Sequence, residues 1–413
     1  MYKNLFLCLL FIISLIFNIF NVNAKPLGIN DVLNEALKNH PDIQISSKNI
    51  KIAESELLTA GLRPNPNANF VLDMLPVGGE KYNPFHRYYG ASLNIPLDIN
   101  NHLDYKVEMS KLLVQAAQYQ HLDILRQFKL RVRLAFVTTL ALRDKIELGN
   151  DNYKRLNEFN ELSKIRLKNN DIPEVDLVRA EFIRDKYKSE LEASALAYKE
   201  SLVDLQYLMG RQQLRDTLEL ESDIENIEAP DSNSEDMAFN IAIKARPDIK
   251  WLIEQNESEK ANLKLQQSYS KPDYAIQGDF SSQQLSYFWG LSLNISLPLF
   301  NQNQGEIQKS QVQIQINDLV MQSMQLSLAK EIHNARENMI INYRIVKDHI
   351  DKLIPQSKEI LKTVEYSYKT GATTFIDYME AQRGFNETMI NYIDDLFKYH
   401  LSKNLFLSAI GKD

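Results

Sequence analysis

Two acidic side chains, Asp377 and Glu380, open a helical segment directly after a short turn-forming stretch. A spacing of three residues places both carboxylates on one face of a helix, where together they attract cations and repel anions. Solvated acidic residues also stabilise the positive N-terminal end of a helix. Asp176 and Arg179 occupy the equivalent helical start 201 residues earlier. The residues alone favour the helix-end interpretation over a cation-selective site.

No group of residues typical of an enzyme accompanies these charges. The sequence contains no Gly-rich phosphate loop, no His-Glu-x-x-His pair and no nucleophile elbow. The seven histidines, among them His40, His86 and His333, are scattered, and we expect them at the surface or in packing. The net charge is −7 with acids and bases mixed, unlike a basic nucleic-acid footprint. We therefore expect no enzymatic activity, cofactor, bound metal or nucleic acid partner.

The first residues predict export from the cytoplasm. Lys3 precedes an almost wholly apolar stretch over 5–20, and Val22 and Ala24 supply the small residues of a cleavage site. We predict a signal peptide over 1–24. The alternative is an uncleaved membrane anchor, for which the apolar stretch is short. The single cysteine, Cys8, lies inside this segment and not after a lipobox, so cleavage leaves a chain without thiol chemistry.

The chain after residue 24 contains two similar halves. The segment ALKNHPDI at 36–43 returns as AIKARPDI at 242–249, GASLNI at 90–95 returns as GLSLNI at 290–295, and two further motifs recur. Their offsets are 206, 200, 201 and 201 residues, in the same order. We predict a first structural repeat over 25–210, an acidic linker over 211–235 and a second repeat over 236–413.

Each repeat contains short stretches in which apolar residues alternate with small or polar ones. One face of 89–95 carries a tyrosine, an alanine, a leucine and an isoleucine, and one face of 287–297 carries Tyr287, Trp289 and four aliphatic residues. This period of two is typical of a barrel strand between lipid and water, and Tyr287 and Trp289 fit an aromatic girdle at one end. Weaker strands precede them, marked by Phe70, Leu72, Met74, Tyr274, Ile276 and Phe280. An ordinary soluble hairpin explains the alternation equally well.

Long helices distinguish between these alternatives. Helical segments over 29–61 and 236–268 precede the strands, and 103–168 and 305–369 follow them with Gly149 and Pro355 as internal interruptions. Each long stretch has about 65 residues and spans about 100 Å, far more than a globular helix. Pro355 is expected to bend its helix. Sevenfold spacing predicts coiled-coil seams through Ile307, Ile314, Met321, Leu328 and Ala335 and through Tyr378, Phe385, Tyr392, Tyr399 and Phe406.

Four strands are too few to close a barrel, because the smallest barrels have about eight strands. Open strand edges also do not persist in lipid. The chain must therefore pool strands with copies of itself. Three copies of four strands make twelve, and cyclic symmetry also lets the long hairpins close into a tube. The predicted fold class is mainly α, with antiparallel coiled-coil hairpins forming an α-barrel and a membrane β-barrel of twelve strands completed in a trimer.

These features resemble the TolC-type outer-membrane efflux proteins over nearly all of the chain after residue 24. The sharpest motifs are YKTGATTFID at 368–377, similar to the family's tip turn, and LPLFNQNQG at 297–305, which resembles the strand-to-helix junction of the cobalt–zinc–cadmium branch. The resemblance implies a homotrimer in the bacterial outer membrane that extends into the periplasm. It implies contact with outer-membrane lipid, a periplasmic adaptor of the membrane fusion type and an inner-membrane pump of the RND or ABC type.

The resemblance also assigns roles at the tips of the hairpins. Asp377 and Glu380 match the family's periplasmic gate, where threefold symmetry gathers carboxylates and is expected to raise some of their pKa values. Tyr368 matches a latch tyrosine, whereas Thr373 stands where some members carry a latch arginine, which puts that ionic lock in doubt. Asp176 and Arg179 are further gate candidates, because Arg179 can pair across subunits. The expected adaptor contacts are Asn170, Ile172, Pro173, Gly371 and Thr373.

The expected function is an exit duct for small solutes such as metal cations or drugs, with heavy-metal resistance as the role implied by the cobalt–zinc–cadmium branch. Two alternatives stay open. The same duct could serve type I protein secretion, or the chain could be a soluble periplasmic coiled-coil adaptor or scaffold. The scaffold explains the long hairpins but neither the amphipathic strands nor the repeat. The sequence does not identify the cargo.

Overall fold

The structure is a computed structural model that describes residues 26–72, 88–214, 218–221, 226–230, 234–283 and 286–412. The predicted signal peptide over 1–24, the strand residue Met74 and His86 lie outside these residues. None of the described helices is long and apolar enough to cross a membrane.

The described chain consists of long helices and one small sheet, and its second half has the same order of elements as its first. The first half contains α1 (Ile29–Asn39), α2 (Pro41–Ala60), β1 (Asn67–Leu72), β2 (Tyr88–Leu97), α3 (His102–Lys168) and α4 (Glu174–Leu208). The second half contains α5 (Glu235–Ala245), α6 (Pro247–Ser268), β3 (Asp273–Gln283), β4 (Ser286–Ser296), α7 (Gln304–Asp348), α8 (Ile354–Lys369) and α9 (Phe375–Ala409). The boundaries of the two predicted repeats and the linker stay a prediction.

The segments predicted to be helical over 29–61 and 236–268 are helical, and each consists of two helices. The break falls at His40 and Arg246, which both adopt extended backbone angles (φ −68°, ψ 129° and φ −66°, ψ 127°). Each precedes a proline, Pro41 or Pro247, and proline disfavours the helical conformation of the residue before it. The proline itself begins the next helix, where its missing N–H leaves no donor unsatisfied.

The long helix of the second hairpin passes through one π-helical turn, His349–Leu353, immediately before Pro355. Because proline has no N–H, one helical hydrogen bond is missing here, and the π turn accommodates this by adding one residue to the helical repeat. Val346 and Leu361 are both buried although they are 15 residues apart instead of 14. The predicted seam is half-buried at Ile307, Ile314 and Met321 and buried at Leu328 and Ala335, and the π turn shifts the sevenfold spacing by one residue further along.

Packing of the long helices buries their seams. Phe128, Val132 and Leu140 of α3 form a central core with Tyr399 of α9, and all four are at most 1% exposed. Helix α3 runs uninterrupted through Gly149, where an added Cβ would lie 2.9 Å from Leu191 Cδ1 of α4. The glycine therefore lets α3 and α4 approach closely.

Four antiparallel strands form a sheet in the order β1-β2-β3-β4. The pairs Phe70–Ala91, Ala91–Phe280 and Phe280–Trp289 run across it, so the two halves of the chain meet between β2 and β3. Every residue of β4 is exposed, including apolar side chains such as Leu291 at 82% exposure. Within the described chain, β1 and β4 are edge strands, so the sheet presents uncovered apolar residues and open backbone edges.

Candidate functional site

Two tight turns close the long hairpins. In the first, α3 ends at Lys168, Asn170 adopts a left-handed conformation (φ 59°), and the Asp171 N–H donates to the Arg166 carbonyl at 2.9 Å. In the second, Gly371 is left-handed (φ 78°) and the Ala372 N–H donates to the Ser367 carbonyl at 2.7 Å. Both turns satisfy the last carbonyls of their helices in the same way.

The residues predicted to contact an adaptor lie in these two turns. Pro173 caps α4 from an extended conformation, and an added Cβ at Gly371 would have no atom within 4 Å. Asn170, Pro173 and Gly371 are exposed, and Ile172 is half-buried. Thr373 is half-buried and its hydroxyl donates to Asp377 Oδ2 at 2.8 Å.

An aromatic cluster fastens the second tip to α3. The Phe159 ring lies 5.3 Å from the rings of Tyr368 and Phe375 and 4.9 Å from Tyr378, measured between centroids. Tyr368 and Tyr378 stack at 5.4 Å, and burial raises the pKa of Tyr378 to about 12. The heptad through Tyr378 predicted that one ring would be buried, but sequence reasoning missed the cluster.

Tyr368, the predicted latch residue, belongs to this cluster. It is 3% exposed, and its hydroxyl has no hydrogen-bond partner among the described residues. The Arg166 guanidinium from the last turn of α3 lies 4.7 Å from its ring centroid, a cation–π distance. Within one chain, Tyr368 therefore links the two hairpins through its ring.

Asp377 caps its own helix. Its Oδ2 accepts hydrogen bonds from the Thr374 hydroxyl (2.6 Å), the Thr373 hydroxyl (2.8 Å) and the Thr374 N–H (3.1 Å), while the Asp377 N–H donates to Thr374 Oγ1. This reciprocal pair is a capping box. Hydrogen bonds from Thr374 and then Thr373 lower the pKa of Asp377. In a single chain the shift is opposite to the rise expected for a crowded carboxylate ring.

The lowered pKa predicts how the start of α9 responds to acid. A carboxylate with a depressed pKa stabilises the fold above its ordinary value of 3.8 and loses that effect as pH falls through the folded pKa. Hydrogen-exchange protection of the first turn of α9, corrected for intrinsic rates, should stay constant down to about pH 4 and then fall. Asp377→Ala should remove the protection at every pH, whereas Glu380→Ala should preserve the response. If the first turn of α9 in the unmodified chain already lost protection at neutral pH, the proposed role of the Asp377 carboxylate would be contradicted.

The remaining gate candidates also pair within their own helices. Glu380 is 70% exposed, and its Oε1 lies 3.9 Å from the Arg383 guanidinium. Asp176 Oδ1 lies 3.5 Å from the Arg179 guanidinium. These are the solvated helix-end charges that the sequence allowed as the structural alternative. The structure nevertheless brings Arg179 and Glu380 to opposite walls of one groove between α4 and α9.

The girdle candidates lie at the opposite end of the chain from the tips, on β4. Tyr287 is 71% and Trp289 is 82% exposed. Both contact the Phe280 ring of β3, with centroid distances of 6.1 Å and 4.9 Å. The three rings form an exposed aromatic patch near the end of the β3–β4 hairpin.

The chain matches known proteins in fold but not in sequence. No protein-family model matches the chain, and no curated protein matches it. Among solved structures, CusC superposes with a TM-score of 0.80 at 15% identity over 93% of this chain and 92% of that one. The Campylobacter jejuni CmeC outer membrane channel gives 0.80 at 15% identity, covering 93% and 85%. The open state of the Neisseria gonorrhoeae MtrE outer membrane channel gives 0.76 at 16% identity, covering 93% and 89%.

The chain has the TolC-like channel fold. The long helical hairpins and the four strands of the predicted fold class are confirmed by the structure and these superpositions. They do not single out the cobalt–zinc–cadmium branch, because their identities support the likeness of fold alone.

Sequence reasoning missed a buried ion network within the second half of the chain. The Arg246 guanidinium bonds to Asp248 (2.6 Å and 3.0 Å), to Glu331 (2.7 Å) and to the Ala409 carbonyl at the end of α9 (3.2 Å). Burial works against its charge, yet the bonds with Asp248 and Glu331 outweigh burial and raise the pKa of Arg246. The recurring motif at 242–249 contains Asp248 but gave no sign of the distant partners Glu331 and Ala409.

Among the residues that the structure describes, no three His, Cys, Asp or Glu side chains come together in a way that could hold a metal ion.

Proposed function

We propose that the chain is the outer-membrane exit duct of a tripartite efflux system, assembled as a homotrimer that extends into the periplasm. The observation that carries the proposal is the uncovered sheet. Its β4 strand exposes apolar side chains along its whole length, and among the described residues the outer edges of β1 and β4 have no paired strand. Hydrocarbon cannot satisfy open backbone edges, so β1 and β4 must pair with other copies.

Three copies of the four-stranded sheet supply twelve strands, enough to enclose a lumen. The hairpins of α3 with α4 and of α7 and α8 with α9 then form the periplasmic tube. Tyr287 and Trp289 take the girdle position at the lipid interface, where amphipathic rings are favoured. Proteins sharing this fold include the CmeC and MtrE outer membrane channels. The proposed cargo is small solutes, including metal cations and drugs. A narrower form of the proposal restricts the cargo to heavy-metal cations.

Purification and bilayer recording test the duct directly. The full chain should extract from outer membranes only with detergent, have the mass of three copies and conduct ions in a planar bilayer. A protein that washes from the membrane as a soluble monomer would instead support the periplasmic scaffold. A trimer that conducts but whose loss blocks only protein export would support the type I secretion duct.

We further propose that Asp377 and Glu380 line the closed periplasmic mouth. Three copies bring six carboxylates towards one axis, and such a ring favours cations. Asp377→Asn with Glu380→Gln should raise single-channel conductance and lower cation preference. Glu254→Gln with Glu257→Gln is the matched control, because it removes two carboxylates with the same spacing on α6. If the tip variant gave an unchanged single-channel conductance and cation preference, the two residues would only stabilise the start of their helix.

The tip turns are the proposed contact with a periplasmic adaptor, which in turn engages an inner-membrane pump. Gly371→Trp fills the open space beside the second turn and should abolish adaptor cross-linking. Gly371→Asn should preserve it, because asparagine tolerates the left-handed conformation. Gly305→Trp provides a second open glycine position away from the tips. Equal cross-linking of Gly371→Trp and Gly305→Trp would exclude the turn from the contact.

A further inference from the structure

A groove of about 680 Å³ runs between α4 and α9 just above the tips. Ligand pockets for drug-sized molecules have volumes of about 300–1,000 Å³ and mainly apolar walls with few polar groups. We propose that this groove binds an uncharged, drug-sized apolar molecule that carries a hydrogen-bond acceptor.

The walls of the groove are apolar and accessible. Phe182 and Ile183 of α4 face Ile376 and Met379 of α9 across it. Phe182 is 70% exposed and Ile376 is 58% exposed, which is unusual for large apolar side chains so close together. A molecule lying between them would remove apolar surface from water on both sides.

The charged residues that line the groove balance across its two walls: α4 carries two positive and one negative side chain, and α9 carries one positive and two negative ones. On α4, Arg179 lies 3.5 Å from Asp176, and Lys186 lies 3.7 Å from Glu190. On α9, Arg383 lies 3.9 Å from Glu380 and 3.8 Å from Glu387. The rim therefore presents no surplus of either sign, and an ion would lose hydration in the groove without gaining an opposite charge. This favours an uncharged ligand.

Tyr187 supplies the polar group of the groove. Its hydroxyl accepts a hydrogen bond from Asn386 Nδ2 at 3.2 Å, and Asn386 Oδ1 in turn accepts one from Asn152 Nδ2. These buried amides hold the phenol in place, and burial raises the pKa of Tyr187, so it stays protonated at neutral pH. In the described part of the chain no residue accepts the Tyr187 proton, which is therefore available to an oxygen acceptor on a ligand.

The groove also borders the proposed gate, because Glu380 belongs to its rim. The identification of the ligand as cargo rests on the proposed function, but binding itself does not. A chain that conducts no ions and still binds the molecule would refute the duct and leave the groove as a binding site.

Nile red, an uncharged dye with a ketone oxygen, tests the groove by fluorescence titration of the full chain in lipid nanodiscs, with empty discs subtracted. Phe182→Ser should weaken binding about tenfold or more, since a large apolar contact is lost. Tyr187→Phe should weaken it by about three- to tenfold, since one hydrogen bond is lost. Tyr366→Ser is the matched control, because Tyr366 is 71% exposed and lies outside the groove, and it should bind like the unmodified chain.

Unfolding curves identical to those of the unmodified chain show that each variant folds. Equal affinity in all four proteins would mean that the dye only partitions into lipid or strands, and would overturn the proposal. Tighter binding of a permanently cationic dye of similar size would overturn the assignment of an uncharged ligand. Cross-linking from a Phe182→Cys variant into a helix of a second copy would show that the chain itself fills the groove, and would also overturn it.

Discussion

Replacing Arg246 with methionine should lower the free energy of unfolding by about 3–5 kcal/mol, the usual cost of removing one partner from a buried ion pair. The Arg246 side chain is 9% exposed and Asp248 is 15% exposed, so Arg246→Met leaves a nearly buried carboxylate without its main partner. It also removes the donor to the Ala409 carbonyl, which ends α9. Denaturant unfolding followed by circular dichroism measures the loss.

Lys309→Met is the matched control for this substitution. Lys309 also pairs with a carboxylate, Glu306 at 3.1 Å, but its side chain is 74% exposed. Exposed pairs contribute about 0–1 kcal/mol, so the control should unfold almost as the unmodified chain does. Adding Asp248→Leu to Arg246→Met should recover part of the lost stability, because the stranded charge is then gone. A loss below about 1 kcal/mol in Arg246→Met would show that the Asp248 carboxylate does not depend on Arg246 and is stabilised by water or by Arg126, whose guanidinium lies 3.8 Å from it.

The same network predicts a dependence on acid. Burial opposes ionisation of Asp248, but the hydrogen bond and charge of Arg246 outweigh burial and hold its pKa below the ordinary 3.8. Its contribution to stability is therefore complete above the ordinary value and is lost as pH falls through the folded pKa. In the first half of the chain, His40 takes the position of Arg246 and packs its ring 4.7 Å from Phe128. The two halves thus stabilise the same helix break with different chemistry.

Phe159→Ala should open the tip, with a local cost of about 3–5 kcal/mol, the range for truncating a buried aromatic residue. Phe159 is 6% exposed, and three rings of the second hairpin pack against it. The substitution removes the surface that Tyr368, Phe375 and Tyr378 share with α3. Hydrogen exchange across 361–385 should become faster, while exchange in α1, α2 and the sheet should not change.

Tyr366→Ala is the control for the tip, because Tyr366 is 71% exposed on α8 and a surface truncation of this kind costs about 0.5 kcal/mol or less. Phe159→Leu should lie between the two, since it keeps part of the buried volume. If the proposed duct is correct, Phe159→Ala should also raise the frequency of channel openings. Unchanged exchange over 361–385 would mean that the hairpin stays closed without this cluster.

Much of the local structure of the second tip could be predicted because its signals are local. The TolC-like tip turn, the left-handed position at Gly371 and the spacing of Asp377 and Glu380 are all contained within 13 residues, 368–380. The capping box was readable too, since Thr374 and Asp377 have its spacing, although only the structure showed that the Asp377 carboxylate is used there. The pairing of Arg166 with Tyr368 had no such signal, because 202 residues separate them.

The sequence by itself determined the helix lengths, the strand positions and the repeated order of elements, because these follow from periodicities within a few turns or a few alternating residues. The breaks at His40 and Arg246 also have a local cause, because a proline follows each of them. Only the tertiary structure decided how the π turn shifts the seam and which side chains meet at the tip and in the groove. Contacts such as Asn152 with Asn386 join residues 234 apart. The relative shift and rotation of whole helices set such contacts, and no local pattern encodes them.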